Sequence, residues 1–262
     1  MDLGLAGKRA LVTAASRGLG RAAALALAGE GVRVAVAGRR RAVLDALADE
    51  MRETGAADAM ALTMDLTRPE AIGAGVAAVG EAWGGIDVMV GNTPGPPSGR
   101  FVDIDRAAWE HAIAETLMAM VDLSRAVVPV MRAGGGGRIL FITTVGVKAV
   151  QPEMVLSDSL RLAIVGLAKS MALELAGDGI LVNCLCPGPI ATDRMDELVA
   201  ATMARDGLDR PAAEARWLAD VPLGRMGRAE DFGALVAMLA SAQASFLTGA
   251  TIAVDGGKSR TY

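Results

Sequence analysis

Aromatic residues are scarce in this chain. Phe, Trp and Tyr together make up 3% of its 262 residues, and the single tyrosine, Tyr262, is the last residue. Because 52% of the residues are apolar, the core must be built from Ala, Val, Leu, Ile and Met. A chain of this length can bury a core of that kind without disulfides or metals.

Cysteine and histidine are almost absent. Cys184 and Cys186 are two residues apart in a strand-like run, so their side chains share one face, and no other ligand type clusters near them in the sequence. This pattern predicts two buried, reduced thiols rather than a metal or redox pair, and no metal site is expected. The only histidine, His111, is predicted to be solvated or to cap a helix rather than to act in catalysis.

The chain also lacks an excess of positive charge and any long uncharged apolar run. It has 26 basic and 30 acidic residues, and its only basic block is residues 39–41, which argues against nucleic acid as a partner. No run is long enough to span a bilayer, and the first strand begins within ten residues of Met1, which leaves no room for a signal peptide. The expectation is a cytoplasmic protein that acts on a small molecule, with no membrane partner.

Residues 13–20 are the stretch around which the rest is organised. They follow an apolar run at 10–12 and lead into a helical run at 21–28, and a second strand follows at 32–37. Glycines in such a turn let the backbone approach a pyrophosphate, and the helix N-terminus offers free N–H groups to it. A glycine turn at the start of a strand–helix–strand unit predicts a nucleotide site.

Strands and helices alternate along the remaining sequence. Helices are predicted at 41–54, 69–83, 106–132, 153–176 and 229–240, with a kink or early end at Pro129, and further strands at 59–64, 86–90, 138–143, 180–186 and 251–254. The predicted fold is α/β: a single-domain, Rossmann-like, doubly wound parallel sheet of about seven strands with helices on both faces, spanning residues 1–262. The polar segment 192–221 is predicted to be a substrate lid.

Six short motifs occur in an order and spacing that is specific in combination, although each is modest alone. The sequence resembles the short-chain dehydrogenase/reductase family over nearly its whole length, and is most similar to its β-ketoacyl-acyl-carrier-protein reductase branch. The motifs are Thr13…Gly18-Leu19-Gly20, Asp65-Leu66, Asn92, Asn183 with residues 187–192, residues 225–231 and residues 247–257.

The resemblance implies an oxidoreductase that forms a homodimer or homotetramer through its two long helices. It also implies a set of cofactor-binding residues near the carboxyl ends of the strands. They are Thr13, Ser16, Arg17, Gly18, Leu19, Gly20, Arg39, Arg40, Asp65, Leu66, Asn92, Thr93, Pro187, Gly188, Ile190 and Thr192.

The sequence departs from the family pattern at two cofactor motifs. The first glycine of the family turn is replaced by Ala14, which is tolerable if the φ angle there is negative. The family's Asn-Asn-Ala-Gly stretch is Gly91-Asn92-Thr93-Pro94, so only its second Asn is kept.

The catalytic motif departs further. Counting back from residues 166–175 places Ser157 at the family's Tyr position and Arg161 at its Lys position, and Thr144 falls at the Ser position. Counting from Trp109 places Thr116 at the Asn position. The resemblance implies that the Tyr accepts or supplies the hydroxyl proton and that the Lys lowers the Tyr pKa. A serine hydroxyl is a far weaker acid than a phenol. Arg161 stays charged, so it can bind the nicotinamide ribose but is a poor proton relay.

A replacement acid must therefore come from elsewhere. Lys148, four residues beyond Thr144, is the preferred one, because burial can lower the pKa of a lysine. Glu153 and Asp158 are the other candidates in that loop, and the alternative for all three is a solvated loop charge. A contribution of Tyr262 across a subunit interface is left open.

The basic residues around the turn favour one cofactor. An NAD site has an acidic residue about twenty residues beyond the glycine turn, whereas this chain has Arg39 and Arg40 there and Arg17 inside the turn. Guanidinium groups suit a 2′-phosphate through charge-assisted hydrogen bonds. The expected cofactor is NADP(H).

Three functions remain open from the sequence. The first is an NADP(H)-dependent oxidoreductase for a carbonyl or alcohol substrate, with an atypical active site. The second is a redox-inactive enzyme such as a lyase, dehydratase or dehalogenase; halohydrin dehalogenases are similar in having Arg at the Lys position but keep the Tyr. The third is a non-catalytic cofactor-binding protein.

Overall fold

The strands form one parallel sheet. The computed structural model describes residues 2–261, and within them every pair of neighbouring strands is parallel, in the order β3-β2-β1-β4-β5-β6-β7. The strands are β1 (Arg9–Val12), β2 (Arg33–Gly38), β3 (Asp58–Thr63), β4 (Val88–Gly91), β5 (Gly137–Ile142), β6 (Ile180–Pro187) and β7 (Thr251–Val254). The predicted α/β fold is confirmed.

Helices connect the strands. They are α1 (Gly18–Gly29), α2 (Arg41–Thr54), α3 (Pro69–Trp83), α4 (Arg106–Ala112), α5 (Ala119–Ala133), α6 (Val155–Leu175), α7 (Asp193–Asp206), α8 (Arg210–Leu218) and α9 (Ala229–Ala240). Two separate apolar layers lie on the two faces of the sheet. One contains buried residues of α1, α2 and α9, and the other contains buried residues of α3, α5 and α6.

The sheet order places the site. β1 and β4 are neighbours inside the sheet, with Val12 of β1 beside both Val36 of β2 and Val90 of β4. The chain progresses from β1 through β2 and β3 to one edge, and from β4 through β5 and β6 to the other. Ligands bind at such a switch point, outside the carboxyl ends of the strands. The turn after β1 and the loop after β4 meet there.

The long helix predicted at 106–132 is correct in extent, and the early end considered at Pro129 does not occur. Pro129 lies within α5, which continues to Ala133, and buried Val127 and Met131 on either side hold this turn against the core. The helix instead widens into a π-helical segment at Ile113–Met118, between α4 and α5. Such widenings are frequent at functional sites.

Segment 192–221 contains α7 and α8, which pack against each other. Met195, Val199 and Ala213 form a small buried cluster of their own. Residues 188–192 connect the end of β6 to α7, and residues of both helices line the cavity at the carboxyl edge of the sheet.

Candidate active site

A cavity of about 540 Å³ opens at the carboxyl edge of the sheet. Its wall comes from the turn after β1, from the ends of β2 to β6, and from α6, α7 and α8. Most of the residues predicted from the sequence line it: Ser16, Arg17, Gly18, Leu19, Arg39, Arg40, Asp65, Leu66, Asn92, Thr93, Thr144, Ser157, Arg161, Pro187, Gly188, Ile190 and Thr192.

Thr13 and Gly20 lie behind this wall and fasten the turn to the loop after β4. The Thr13 hydroxyl accepts the N–H of Asn92 at 2.9 Å and donates to the Asn92 carbonyl at 2.7 Å. The Asn92 amide donates to the carbonyl of Ala14 at 3.3 Å. A Cβ at Gly20 would lie 2.6 Å from that same carbonyl oxygen, so only glycine allows the two segments to approach this closely.

Ala14 has a φ angle of +45°. An alanine is tolerable at this position only with a negative φ angle, and the angle is positive. The left-handed region brings the Cβ of an L-residue close to its own backbone and costs about 1–2 kcal/mol. The alanine is retained in a strained turn that lines the cavity.

Replacing Ala14 by glycine is expected to stabilise the protein. Ala14→Gly should raise the free energy of unfolding by about 1 kcal/mol, because the strain disappears and only part of the gain is lost to the greater freedom of the unfolded chain. Urea denaturation measures the change. Ala22→Gly, inside α1, is the control and should lower stability by about 1 kcal/mol. A destabilised Ala14→Gly would contradict the strain.

One end of the cavity is bounded by β2 and β3. Arg40 donates to the Ser16 hydroxyl at 3.3 Å, and Arg39 lies 3.7 Å from a carboxylate oxygen of Glu115. At Asp65, hydrogen bonds from the backbone and hydroxyl of Thr67 lower the carboxyl pKa. Glu115 was missed by the sequence reading, although it precedes Thr116 in the helix that the reading singled out.

Helix α7 contacts both the glycine turn and the loop after β4. Arg17 contacts Glu197 at 2.8 Å and Asp193 at 3.6 Å, and Glu197 also contacts Arg194 at 3.2 Å. Burial acts to raise the pKa of Glu197, but hydrogen bonds from the two arginines lower it overall. Arg194 in turn donates to the carbonyl of Pro96 at 2.8 Å. The sequence reading missed Arg194 and Glu197, since a polar lid of unknown orientation gave no reason to select them.

Thr144, Ser157 and Arg161 come together at the inner end. The Thr144 hydroxyl accepts the N–H of Gly146 at 3.2 Å. Arg161 donates to the Ile142 carbonyl at 2.8 Å and, at 3.4 and 3.5 Å, to the Thr93 hydroxyl and the Pro94 carbonyl. Its side chain is buried, and this burial lowers the guanidinium pKa to about 10. It therefore remains charged at neutral pH.

Asp158 is buried beside this group without lining the cavity. One carboxylate oxygen accepts the N–H of Gln151 at 2.9 Å, and the other has no partner among the described residues. Burial raises the Asp158 pKa, against the smaller effects of the Gln151 hydrogen bond and the Arg161 charge. The neighbouring candidate, Glu153, forms an ion pair with Arg205 of α7 and has a φ angle of +64°.

Two residues predicted to be catalytic do not line the cavity. Lys148 is half-buried just after a short 3-10 turn, Val145–Val147. Thr116 is buried in the π-helical segment, and its hydroxyl has no hydrogen-bond partner among residues 2–261. Tyr262 lies outside the described residues, while His111 is exposed, as predicted, 3.6 Å from Glu115. Both cysteines are buried, and burial raises the pKa of Cys184 to about 12.

Comparison with known proteins now identifies the family. A family model described as Enoyl-(Acyl carrier protein) reductase matches residues 13–259. Sorbitol dehydrogenase from Cereibacter sphaeroides is 33% identical over 97% of this chain and 98% of its own. The chain belongs to the short-chain dehydrogenase/reductase family.

Other relatives set the breadth of that resemblance. The 3-oxoacyl-[acyl-carrier-protein] reductase of Vibrio cholerae is 32% identical over 97% of this chain and 98% of its own. Since it and the sorbitol dehydrogenase match about equally, the comparisons support the short-chain dehydrogenase/reductase family rather than one branch of it.

A solved relative shares the whole fold. L-Sorbose reductase from Gluconobacter frateurii, in complex with NADPH and L-sorbose, has a TM-score of 0.94 and 27% identity, and the match covers 100% of both chains. By its family membership, the chain of 262 residues is therefore an oxidoreductase. The NADPH-bound relative supports a nicotinamide cofactor for it. Its cavity fits such a group: a Cβ at Gly20 would close the turn, and guanidinium groups line the wall.

Among the helices that the structure describes, none combines the length and apolar character needed to cross a membrane. Within residues 2–261, no three His, Cys, Asp or Glu side chains are grouped so that they could hold a metal ion.

Proposed function

We propose that this protein is an NADP(H)-dependent oxidoreductase for a carbonyl or alcohol substrate, with an atypical active site. The observation that carries the cofactor choice is the basic end of the cavity, where Arg39 and Arg40 follow β2 and both line the wall. Charge-assisted hydrogen bonds from guanidinium groups suit a 2′-phosphate. An NAD site would have a carboxylate at this strand end.

The remaining cofactor contacts follow from the family resemblance. Asn92, Pro187-Gly188, Ile190 and Thr192 would hold the nicotinamide end, and all of them line the cavity. When bound, this group supplies or accepts the hydride. Thr13 and Gly20 lie behind the cavity wall, so they would contribute to cofactor binding by shaping the turn after β1.

We assign Ser157 and Arg161 to the positions of the family's Tyr and Lys, and Thr144 to that of its Ser. Thr144 and Ser157 would donate hydrogen bonds to the substrate oxygen and stabilise an oxyanion there. Neither hydroxyl is acidic enough to supply a proton. Lys148 and Thr116 stay predictions; because neither lines the cavity, water is the proposed proton source.

Segment 192–221 is proposed to be the substrate lid of this single domain. Met195, Leu198 and Trp217 from α7 and α8 line the cavity together with Arg194 and Glu197. The lid would exclude water from the reacting atoms while admitting a substrate with an apolar part. The cytoplasmic location and the homodimeric or homotetrameric assembly stay predictions.

The cofactor proposal is tested by binding. Nicotinamide fluorescence titrations should show NADPH bound at least about tenfold more tightly than NADH. Arg39→Gln should weaken NADPH binding about tenfold through loss of a charge-assisted hydrogen bond, and leave NADH binding unchanged. Arg41→Gln is the matched control, because Arg41 pairs with Asp45 and does not line the cavity. Equal affinity for both cofactors would overturn the choice of NADP(H).

A second candidate function rests on Ser157 and Arg161. Loss of an acidic hydroxyl next to the substrate favours an enzyme that keeps the cofactor site without redox turnover, such as a lyase, a dehydratase or a dehalogenase, or a non-catalytic cofactor-binding protein. Tight NADPH binding without NADPH oxidation across a broad panel of ketones would support this candidate over the oxidoreductase.

A further inference from the structure

Arg161 is a buried charge that forms no ion pair with any residue that the structure describes. Its side chain is 6% exposed, and no carboxylate oxygen of residues 2–261 lies within 4.0 Å of its guanidinium nitrogens. Asp158 is the nearest acidic residue in sequence, three positions before it, but it forms no ion pair with the guanidinium, and its charge and that of Cys186 only partly oppose the effect of burial on the Arg161 pKa. An isolated buried charge is strongly unfavourable unless something negative completes it.

The guanidinium also has unused donors on the cavity side. Arginine carries five N–H groups, while the described partners of Arg161 are two backbone carbonyls and one hydroxyl, two of them at 3.4–3.5 Å. Its Nε makes no hydrogen bond within the described residues, and Arg161 lines the cavity. The site therefore presents charge and directed donors to whatever enters.

Arg194, a residue of α7, contacts the same loop after β4 as Arg161 does. It donates to the Pro96 carbonyl, while Arg161 donates to the Pro94 carbonyl. The two charges are near enough for Arg194 to lower the pKa of Arg161. Both guanidinium groups therefore contact the segment 94–96, which contributes to the cavity wall.

None of the acidic residues of the wall pairs with Arg161, although Glu197 pairs with Arg194. Asp65 accepts hydrogen bonds from Thr67, Glu115 lies beside Arg39 and His111, and Glu197 bridges Arg17 and Arg194. The lining groups with basic side chains outnumber the acidic ones. They are Arg17, Arg39, Arg40, Arg161 and Arg194, against Asp65, Glu115 and Glu197.

We infer that the substrate carries a carboxylate, and that Arg161 binds it together with Arg194. This inference rests on the proposed oxidoreductase function, because it names the substrate class of that same site: a small oxo acid or hydroxy acid. A planar guanidinium matches a carboxylate through paired N–H···O bonds. The apolar lining from Met154, Met195 and Leu198 suits the rest of such a molecule.

The bound cofactor is the other source of negative charge. Its pyrophosphate is served by the glycine turn and the N-terminus of α1, where Ser16, Gly18 and Leu19 line the cavity. Arg161 instead contacts the ends of β4 and β5 through residues 93, 94 and 142. The test must nevertheless separate a contribution to cofactor binding from one to substrate binding.

The inference is tested with matched acid and ester pairs. Pyruvate, phenylpyruvate and acetoacetate are each compared with their methyl ester as substrates for NADPH oxidation by the full-length protein. For at least one pair, kcat/KM should be about 50-fold higher for the acid, because the ester loses both charge-assisted bonds. Arg161→Gln and Arg194→Gln should each reduce this preference to less than about fivefold.

Arg216→Gln is the matched control. Arg216 is an exposed arginine of the lid that pairs with Asp206 and does not line the cavity, so its loss should keep the acid preference. If Arg194→Gln instead raises KM for NADPH and leaves the preference unchanged, Arg194 serves the cofactor and its assignment here is overturned. Arg194→Gln also provides the test if Arg161→Gln does not fold.

A binding measurement separates this inference from the proposed function. Trp217 lines the cavity, so its fluorescence can be used to follow binding. The dissociation constant of phenylpyruvate should be at least about tenfold lower than that of its methyl ester, and Arg161→Gln should remove the difference. If the acids bind but no NADPH is oxidised, the proposed oxidoreductase function is contradicted and the carboxylate-binding site is supported. Esters turned over or bound as well as acids would overturn the carboxylate site and leave the oxidoreductase intact.

Discussion

Gly20→Ala is expected to weaken NADPH binding by about 10- to 100-fold. The added Cβ would lie 2.6 Å from the Ala14 carbonyl oxygen and 2.9 Å from the Asn92 amide nitrogen. The turn after β1 and the loop after β4 would have to separate, at a cost of about 1–3 kcal/mol. Nicotinamide fluorescence titration gives the dissociation constant, and circular dichroism establishes that the variant is folded.

A second glycine variant controls for the change of residue type. Gly80 lies within α3, and no atom lies within 4 Å of a Cβ built there. Gly80→Ala should leave NADPH affinity unchanged and raise stability by up to about 1 kcal/mol through helix propensity. If Gly20→Ala binds NADPH within twofold of the natural protein, the close approach at the turn has no part in shaping the cofactor site.

Gly146→Ala is expected to cause the largest loss of stability. A Cβ at Gly146 would overlap the buried carboxylate of Asp158, which is held on its other oxygen by the Gln151 N–H. The overlap should lower the free energy of unfolding by about 3 kcal/mol. NADPH oxidation should fall as well, because the Gly146 N–H is bonded to Thr144. Urea denaturation and steady-state kinetics measure the two effects.

The cause of that loss is tested by a second substitution. In the Gly146→Ala background, Asp158→Ala should recover most of the lost stability, so that the two changes are strongly non-additive. Gly166→Ala on α6, where a Cβ would meet no atom within 4 Å, should not destabilise. Additive losses from Gly146→Ala and Asp158→Ala would show that the overlap is not the cause.

Much of the fold could be predicted because local signals and packing agree. Helix α3 begins at Pro69 and ends before Gly84, whose φ of +75° is a glycine conformation, and the sequence gives both limits. Helix α6 begins at Val155 and not at 153, since Glu153 takes a left-handed φ. The π-helical segment at 113–118 has no comparable signal, because it depends on how the long helix packs.

The residues of the cavity wall likewise fall into those that could be placed from the sequence and those that could not. Residues at the strand ends could be placed from motif order, since parallel strands bring their carboxyl ends to one edge. Arg194, Glu197 and Glu115 could not, because their positions depend on how helices pack over that edge. The strained φ of Ala14 was likewise beyond the sequence, which supplies the residue type and not the turn conformation.

The bridge formed by Glu197 has a thermodynamic consequence. One carboxylate contacts Arg17 at the glycine turn and Arg194 above the inner end, so a change of partner at one arginine alters the field at the other. A ligand that drew Arg17 away would leave Glu197 to neutralise Arg194 more fully. Because linkage is reciprocal, a ligand at Arg17 and a ligand at Arg194 would then change each other's dissociation constant by the same factor.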